Sequence, residues 1–243
     1  PNRDYSLRQI VRASASAPYY LDAIEIDVGP GQTGFFLDGG VSPHNNPAGE
    51  LFLMTTLRNM EGQVRSPTGF EWPAGADNIF LLSLGTGQWR RRAEPEQYRA
   101  LQSAQRSFEA LAGMITDSEK HALTWLQALS EPADAFHIDA NYANLQGMLI
   151  PEEPLLTFQR INPVLEEQWL SDNLGNSYWR DRASIEAMRE IDQTALDNLN
   201  RLYEVGLQTG WRKITPSLFQ TEFDGTAIDG HQQPAAAAKA LQV

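Results

Sequence analysis

The feature that most limits what this chain can fold into is a short, almost wholly apolar run, Asn78 to Leu84, closed at once by Gly85-Thr86-Gly87. Such a run, bounded by glycines, is the pattern of a buried strand. Helical and extended signals alternate around it. Ser6 and Gln9 are spaced as a capping box, in which each side chain satisfies the other's backbone N–H. Leu7, Ile10 and Val11 then recur at helical spacing, and the helix must stop before Pro18. Ala23 to Val28 alternates apolar and acidic residues as a half-buried strand does. Phe35 to Asp38 reads as a second strand, ended by Gly39-Gly40. Asn46-Pro47 starts a helix reaching about Asn59, because Asn caps and Pro loses no hydrogen bond at the first helical position. Strands alternating with helices predict an α/β layer architecture.

The texture changes after Arg90-Arg91-Arg92. Leu101, Ala104, Phe108, Leu111 and Ile115 recur at helical spacing, as do Ala122, Trp125, Leu126 and Leu129. Leu196, Leu199, Leu202 and Tyr203 mark a later helix, and Leu155 to Arg160 reads as an extended piece. The expected organisation is therefore an α/β core over residues 1–92, a mainly helical extension packed on it over 93–230, and a poorly ordered tail over 231–243.

Composition narrows the partners. The chain is globular in character, with 42% hydrophobic and 21% charged residues among 243. Its 19 basic and 31 acidic residues give 19 − 31 = −12. A surface of that sign repels phosphates, so nucleic acid is not expected as a partner. Membrane contact would be peripheral at most, and apolar rather than electrostatic. The absence of cysteine excludes disulfides and thiolate chemistry. Apolar runs such as Ile79 to Leu82 are too short to cross a bilayer. The chain opens on Pro1 rather than Met, so further sequence is expected upstream.

Several motifs could carry chemistry, and each has a plainer reading. Gly29-Pro30-Gly31-Gln32-Thr33-Gly34 matches G-x-G-x-x-G, but a nucleotide site needs a helix to begin there, and Phe35-Phe36-Leu37 reads as a strand. Gly85-Thr86-Gly87 would serve either as an anion cradle or as a tight turn. His44, His121, His137 and His231 show no H-x-x-x-H or H-E-x-x-H pairing, so a zinc site is poorly supported. His44 lies close to Asp38 in sequence, within a polar loop that suits a solvated imidazole. The Asp27 and Asp38 pair resembles a two-carboxylate site, although an acidic chain supplies such pairs readily. Leu37-Asp38-Gly39-Gly40 is more specific. It puts a carboxylate at a strand exit beside glycines that allow close approach, yet Asp-Gly-Gly is also a common turn.

Taken in order, four blocks say more than any one. They are Val11-Arg12-Ala13-Ser14-Ala15-Ser16-Ala17-Pro18-Tyr19-Tyr20, Asp38-Gly39-Gly40, Asn45-Asn46-Pro47 and Ser83-Leu84-Gly85-Thr86-Gly87. Together they resemble the blocks of patatin-like phospholipases, of a bacterial type with a helical C-terminal extension. The resemblance spans about residues 5–90 and continues loosely through Leu155 to Leu174.

The resemblance implies the second half of a mostly parallel sheet flanked by helices, followed by the helical extension. It implies hydrolysis of a lipid acyl ester by a Ser-Asp dyad without histidine, cofactor or metal. Asp38 would be the general base, supported by Gly39, Gly40 and Asn46. The nucleophile would sit in G-x-S-x-G, and a glycine-rich loop would supply the oxyanion hole. Neither is present: Ser177, in Gly175-Asn176-Ser177-Tyr178-Trp179, lacks the second glycine. The chain alone is therefore expected to be inactive, its partner being a missing N-terminal part of the same protein, with a cytoplasmic setting. A sheet incomplete in this way would expose apolar surface around Ile79 to Leu82. The alternative is a non-catalytic interaction module that keeps the same frame.

Overall fold

In the computed structural model of the chain, the described residues are 4–18, 20–58, 70–90, 95–132, 134–139, 142–175, 181–190, 192–220 and 223, with Gln97 and Phe108 described by backbone alone. Ser177 and the 231–243 tail lie outside them, as do His231 and Asn59. The architecture is α/β, with a small parallel sheet and a helical C-terminal region.

Helix α1 (Leu7–Ser14) starts at the expected capping box: the Gln9 N–H donates to Ser6 Oγ at 3.3 Å, and the Ser6 N–H donates to Gln9 Oε1 at 3.0 Å. Its apolar stripe does not face a core. Leu7 is 80% and Val11 63% exposed, and only Ala13 is buried. Strands β1 (Ile24–Gly29) and β2 (Gln32–Phe36) form an antiparallel hairpin with Ile24 opposite Phe36. The expected second strand thus ends at Phe36 rather than Asp38. Among the described residues it pairs with β1, in a two-stranded sheet separate from that of β3 and β4. Two short 3-10 turns, Gly39–Val41 and Pro43–Asn45, lead into α2 (Ala48–Thr56).

The apolar run becomes β3 (Phe80–Leu84), and the later extended piece becomes β4 (Thr157–Ile161). The Thr157 N–H donates to the Ile79 carbonyl at 2.8 Å, and the Gly85 N–H donates to the Ile161 carbonyl at 2.8 Å. Residue numbers rise together along both strands, so the pair is parallel. Between them lie α3 (Pro95–Ala100) and α4 (Ser103–Ala128). The two expected helical stripes of this region are one continuous α4.

The core joins Ala48 and Phe52 of α2, Ile79 and Leu81 beside and within β3, Leu123 and Leu126 of α4, and Leu156 and Phe158 at β4. The Phe136 ring meets Phe158 edge-on, with centroids 5.9 Å apart. Ile79 and Leu81 are buried, while Phe80 and Leu82 are half-buried. Exposed apolar surface lies at Leu84, at the end of β3, and also on α1, on Phe35 of β2, and on Leu51 and Met54 of α2.

The chain divides into two compact units: residues 1–83 with 89–160, and residues 84–88 with 161–243. This differs from the expected boundary at 92. The reason is physical: Leu123, Leu126 and Phe158 fill the same core as Phe52 and Leu81, so α4, and β4 as far as Arg160, belong to the first unit.

In the second unit, α5 (Glu167–Leu174) ends at Gly175, whose φ of 66° is the left-handed cap glycine favours. Helices α6 (Arg182–Met188) and α7 (Leu196–Lys213) follow, then a 3-10 turn over Pro216–Leu218. Leu165, Leu170, Ile185, Met188 and Val205 are buried here. The α7 helix was legible, but its buried positions are Asn198, Val205 and Thr209, while Leu196, Leu199 and Tyr203 are exposed. Among the described residues, no helix is long and apolar enough to cross a membrane.

Candidate active site around Asp38

Asp38 sits two residues beyond β2 and caps the Gly39–Val41 turn. Its Oδ1 accepts the Gly40 N–H at 2.6 Å. Its own N–H donates to the Ser16 carbonyl at 3.1 Å. Ser16, fully buried, is fixed in turn: its Oγ donates to the Arg12 carbonyl at 2.7 Å and accepts from the Arg12 guanidinium, which also donates to the Asp22 carbonyl at 2.8 Å. The first sequence block therefore holds the backbone of the second.

Gly40 is tight. A Cβ built there would lie 3.0 Å from Asp38 Oδ1 and 3.4 Å from Asn45 Oδ1. At Gly39 a Cβ would meet nothing within 4 Å, and the Gly39 carbonyl accepts from Ser42 Oγ at 2.7 Å. Of the two motif glycines, only Gly40 is required for space. Asp38 is half-buried, makes no ion pair among the described residues, and presents Oδ2 without a hydrogen-bond partner among them.

Asn46 links the third and fourth blocks. Its Oδ1 accepts the Ala48 N–H at 3.2 Å, which starts α2, and the Ser83 hydroxyl at 3.4 Å. The side chain bonds the first turn from one residue further out than expected, because Pro47 takes the flanking position and the helix begins at Ala48. Asn46 Nδ2 is buried without a partner among the described residues. Ser83, pointing inward from β3, also accepts from Arg160 Nη1 at 2.8 Å, and Arg160 Nη2 donates to Glu119 Oε1 at 2.6 Å. The Arg160 side chain is 9% exposed. Burial pulls its pKa down, and the charge and hydrogen bond of Glu119 act against that.

Sequence reasoning had not singled out Arg160 or Glu119. One signal was available: Arg160 is the only charge between Leu155 and Ile161, and a charge in a buried strand needs a partner.

The other candidates are accounted for. Gly34 lies within β2, so the Gly29 loop opens no helix and the nucleotide-binding reading is set aside; Gly31, with φ of 70°, makes the hairpin turn. The Gly85 and Gly87 N–H groups are taken by the Ile161 carbonyl and by Asn162 Oδ1, each at 2.8 Å, so they cannot cradle an anion. Asp27 accepts from Thr33 Oγ1 at 3.3 Å on the exposed hairpin, so it is held by its own strand partner. His44 is exposed and lies 3.6 Å from Glu50. His121 accepts the Trp125 indole N–H at 3.0 Å. A cavity of about 480 Å³ lies against α4, with Asn46, Glu50, Ser118 and His121 in its wall, and a second of about 550 Å³ is walled by Trp125 and Tyr142. Neither includes Asp38. No family model, curated protein or solved structure matches this chain.

Proposed function

We propose that this chain supplies the general base, Asp38, of a lipid acyl hydrolase that works through an acyl-serine. The observation that carries the reading is the state of the Asp38 carboxylate. One oxygen is fixed by the Gly40 N–H at 2.6 Å, while the other has no partner among the described residues. A carboxylate oriented by its own turn, and unspent on an ion pair, can take a proton from a hydroxyl placed against it and return it to a leaving alcohol. The order of the four sequence blocks, and their junctions at Ser16–Asp38 and Asn46–Ser83, agree with that role.

No serine of the chain lies in G-x-S-x-G. In this reading the nucleophile and the oxyanion donors come from a segment outside these residues, and the lipid acyl ester binds where that segment meets Asp38. A second reading has its own support: capping a 3-10 turn is what a purely structural aspartate does, and a non-catalytic module of the same frame would keep it.

Asp38→Asn in the intact protein separates the two, assayed with a fluorogenic acyl ester and a thermal melt. The amide preserves shape but cannot accept the proton, so turnover should fall by about two to four decades with the melt unchanged. Near-normal turnover by a folded Asp38→Asn protein would leave the aspartate as a turn residue only.

A further inference from the structure

We propose that Arg160 is a positioning residue for the Asp38 turn, acting through Ser83 and Asn46 and held in place by Glu119. The inference rests on the hydrolase reading only for its functional meaning. Its geometry stands independently.

The path is hydrogen-bonded from Glu119 to Asn46 and passes along the backbone from there to the turn. Glu119 on α4 accepts from Arg160 Nη2 at 2.6 Å, and Arg160 Nη1 donates to Ser83 Oγ at 2.8 Å. Ser83 donates to Asn46 Oδ1 at 3.4 Å. Asn46 directly follows Asn45, whose Oδ1 lies beside Gly40 together with the Asp38 carboxylate. The planar guanidinium is suited to this work because its donors diverge in a fixed fork, one arm to Glu119 and one to Ser83. With its proton donated to Asn46, Ser83 Oγ needs a donor of its own, and Arg160 is that donor. The Ser83 hydroxyl is thereby polarised toward Asn46, and Asn46 is held at the junction between the Pro43–Asn45 turn and α2. A purely apolar contact at this place would fix the depth of α2 but not the rotation of the Asn46 amide. The motif serine and the motif asparagine are thus set by a residue from the later part of the sequence.

The consequence can be read without any reaction. The Gly40 N–H is short-bonded to Asp38, so its amide proton should resonate far downfield and report small movements of that carboxylate. In the 243-residue chain, amide spectra of Arg160→Lys, Arg160→Gln and the double replacement Arg160→Met with Glu119→Met are compared with the parent. The lysine keeps a charge for Glu119 but cannot fork to Ser83. The double replacement removes both buried charges at once, so the fold does not depend on an unpaired one.

The expected result is that the Gly40, Asn45 and Asn46 amides move in all three proteins. The Thr33 and Phe35 amides of the hairpin should stay in place and the melt remain cooperative. An unmoved Gly40 amide in the folded double replacement overturns the proposal, whatever the single replacements do. The two readings fail separately. If Gly40 moves but Asp38→Asn keeps its turnover, the positioning stands and the hydrolase reading falls. If Gly40 is still but Asp38→Asn is inactive, the reverse holds.

Discussion

Arg160 and Ser83, 77 residues apart in the chain, meet at 2.8 Å between two parallel neighbours, β4 and β3. That one bond joins the part of the chain that looked like an appendage to the part that carried the recognisable blocks. Breaking a buried pair by removing one member costs about 3–5 kcal/mol, because the other charge stays buried and uncompensated. The cost falls on whichever charge is left behind, so Glu119 of α4 and Arg160 of β4 are kept or lost together.

Gly40→Ala tests the crowding at the turn. A methyl there would press on Asp38 Oδ1 from 3.0 Å, so the carboxylate must swing aside. If the hydrolase reading holds, ester turnover should fall roughly tenfold or more, because small misplacements of a reacting group have effects of that order. Gly39→Ala, which meets nothing, should be silent. Equal loss in both would mean that the glycines serve the backbone rather than the space beside Asp38. Kinetics with a fluorogenic ester, alongside melts, give the comparison.

If the hydrolase reading holds, His44→Ala should keep most of the ester turnover. His44 is exposed, and its contact is with Glu50, 3.6 Å away on the surface; an exposed pair of this kind is worth about 0–1 kcal/mol. A drop as large as that of Asp38→Asn would point to a triad and overturn the dyad.

Gly87→Ala should destabilise the second unit by about 1–3 kcal/mol. Gly87 has φ of 106°, which side-chain-bearing residues rarely adopt, and a Cβ would lie 3.0 Å from Leu165 Cδ1. Chemical denaturation followed by the tryptophans reads the change. A midpoint identical to the parent's would show that the turn adjusts at no cost.

Phe158→Ala should cost about 3–5 kcal/mol, as loss of a fully buried ring does. Phe158 has no exposed surface and stacks edge-on against Phe136. A loss under about 1 kcal/mol would mean that this core collapses freely around the gap.

Much of this was legible because it is local. The Ser6 capping box, the helix limit before Pro18 and the apolar β3 run each depend on a few adjacent residues and stand close to where the pattern put them, whereas α2 starts one residue later than expected, with Pro47 rather than Asn46 flanking it. What failed depended on partners far along the chain. Periodicity located α7 but not its buried face, because Asn198 is drawn inward by the Ala187 and Gln193 carbonyls, both at 3.1 Å. It located α1 but could not show that Leu7 and Val11 lie in water. The extent of the core was illegible for the same reason: no local pattern says that Phe158 shares a core with Phe52 and Leu81. The Asp38 turn was visible as a motif, whereas its support from Ser16 joins residues 22 positions apart.

That support has a mechanical side. The Asp38 amide hangs from the carbonyl of Ser16, just past the end of α1, a helix of eight residues that buries only Ala13. Elements with so little buried area are the first to open, at free energies far below that of global unfolding. Fraying of α1 would therefore loosen the aspartate while β3, β4 and α4 remain intact. The rate at which the Asp38 amide exchanges with solvent is then a gauge of whatever covers Leu7 and Val11: cover that face, and the carboxylate stiffens without being touched.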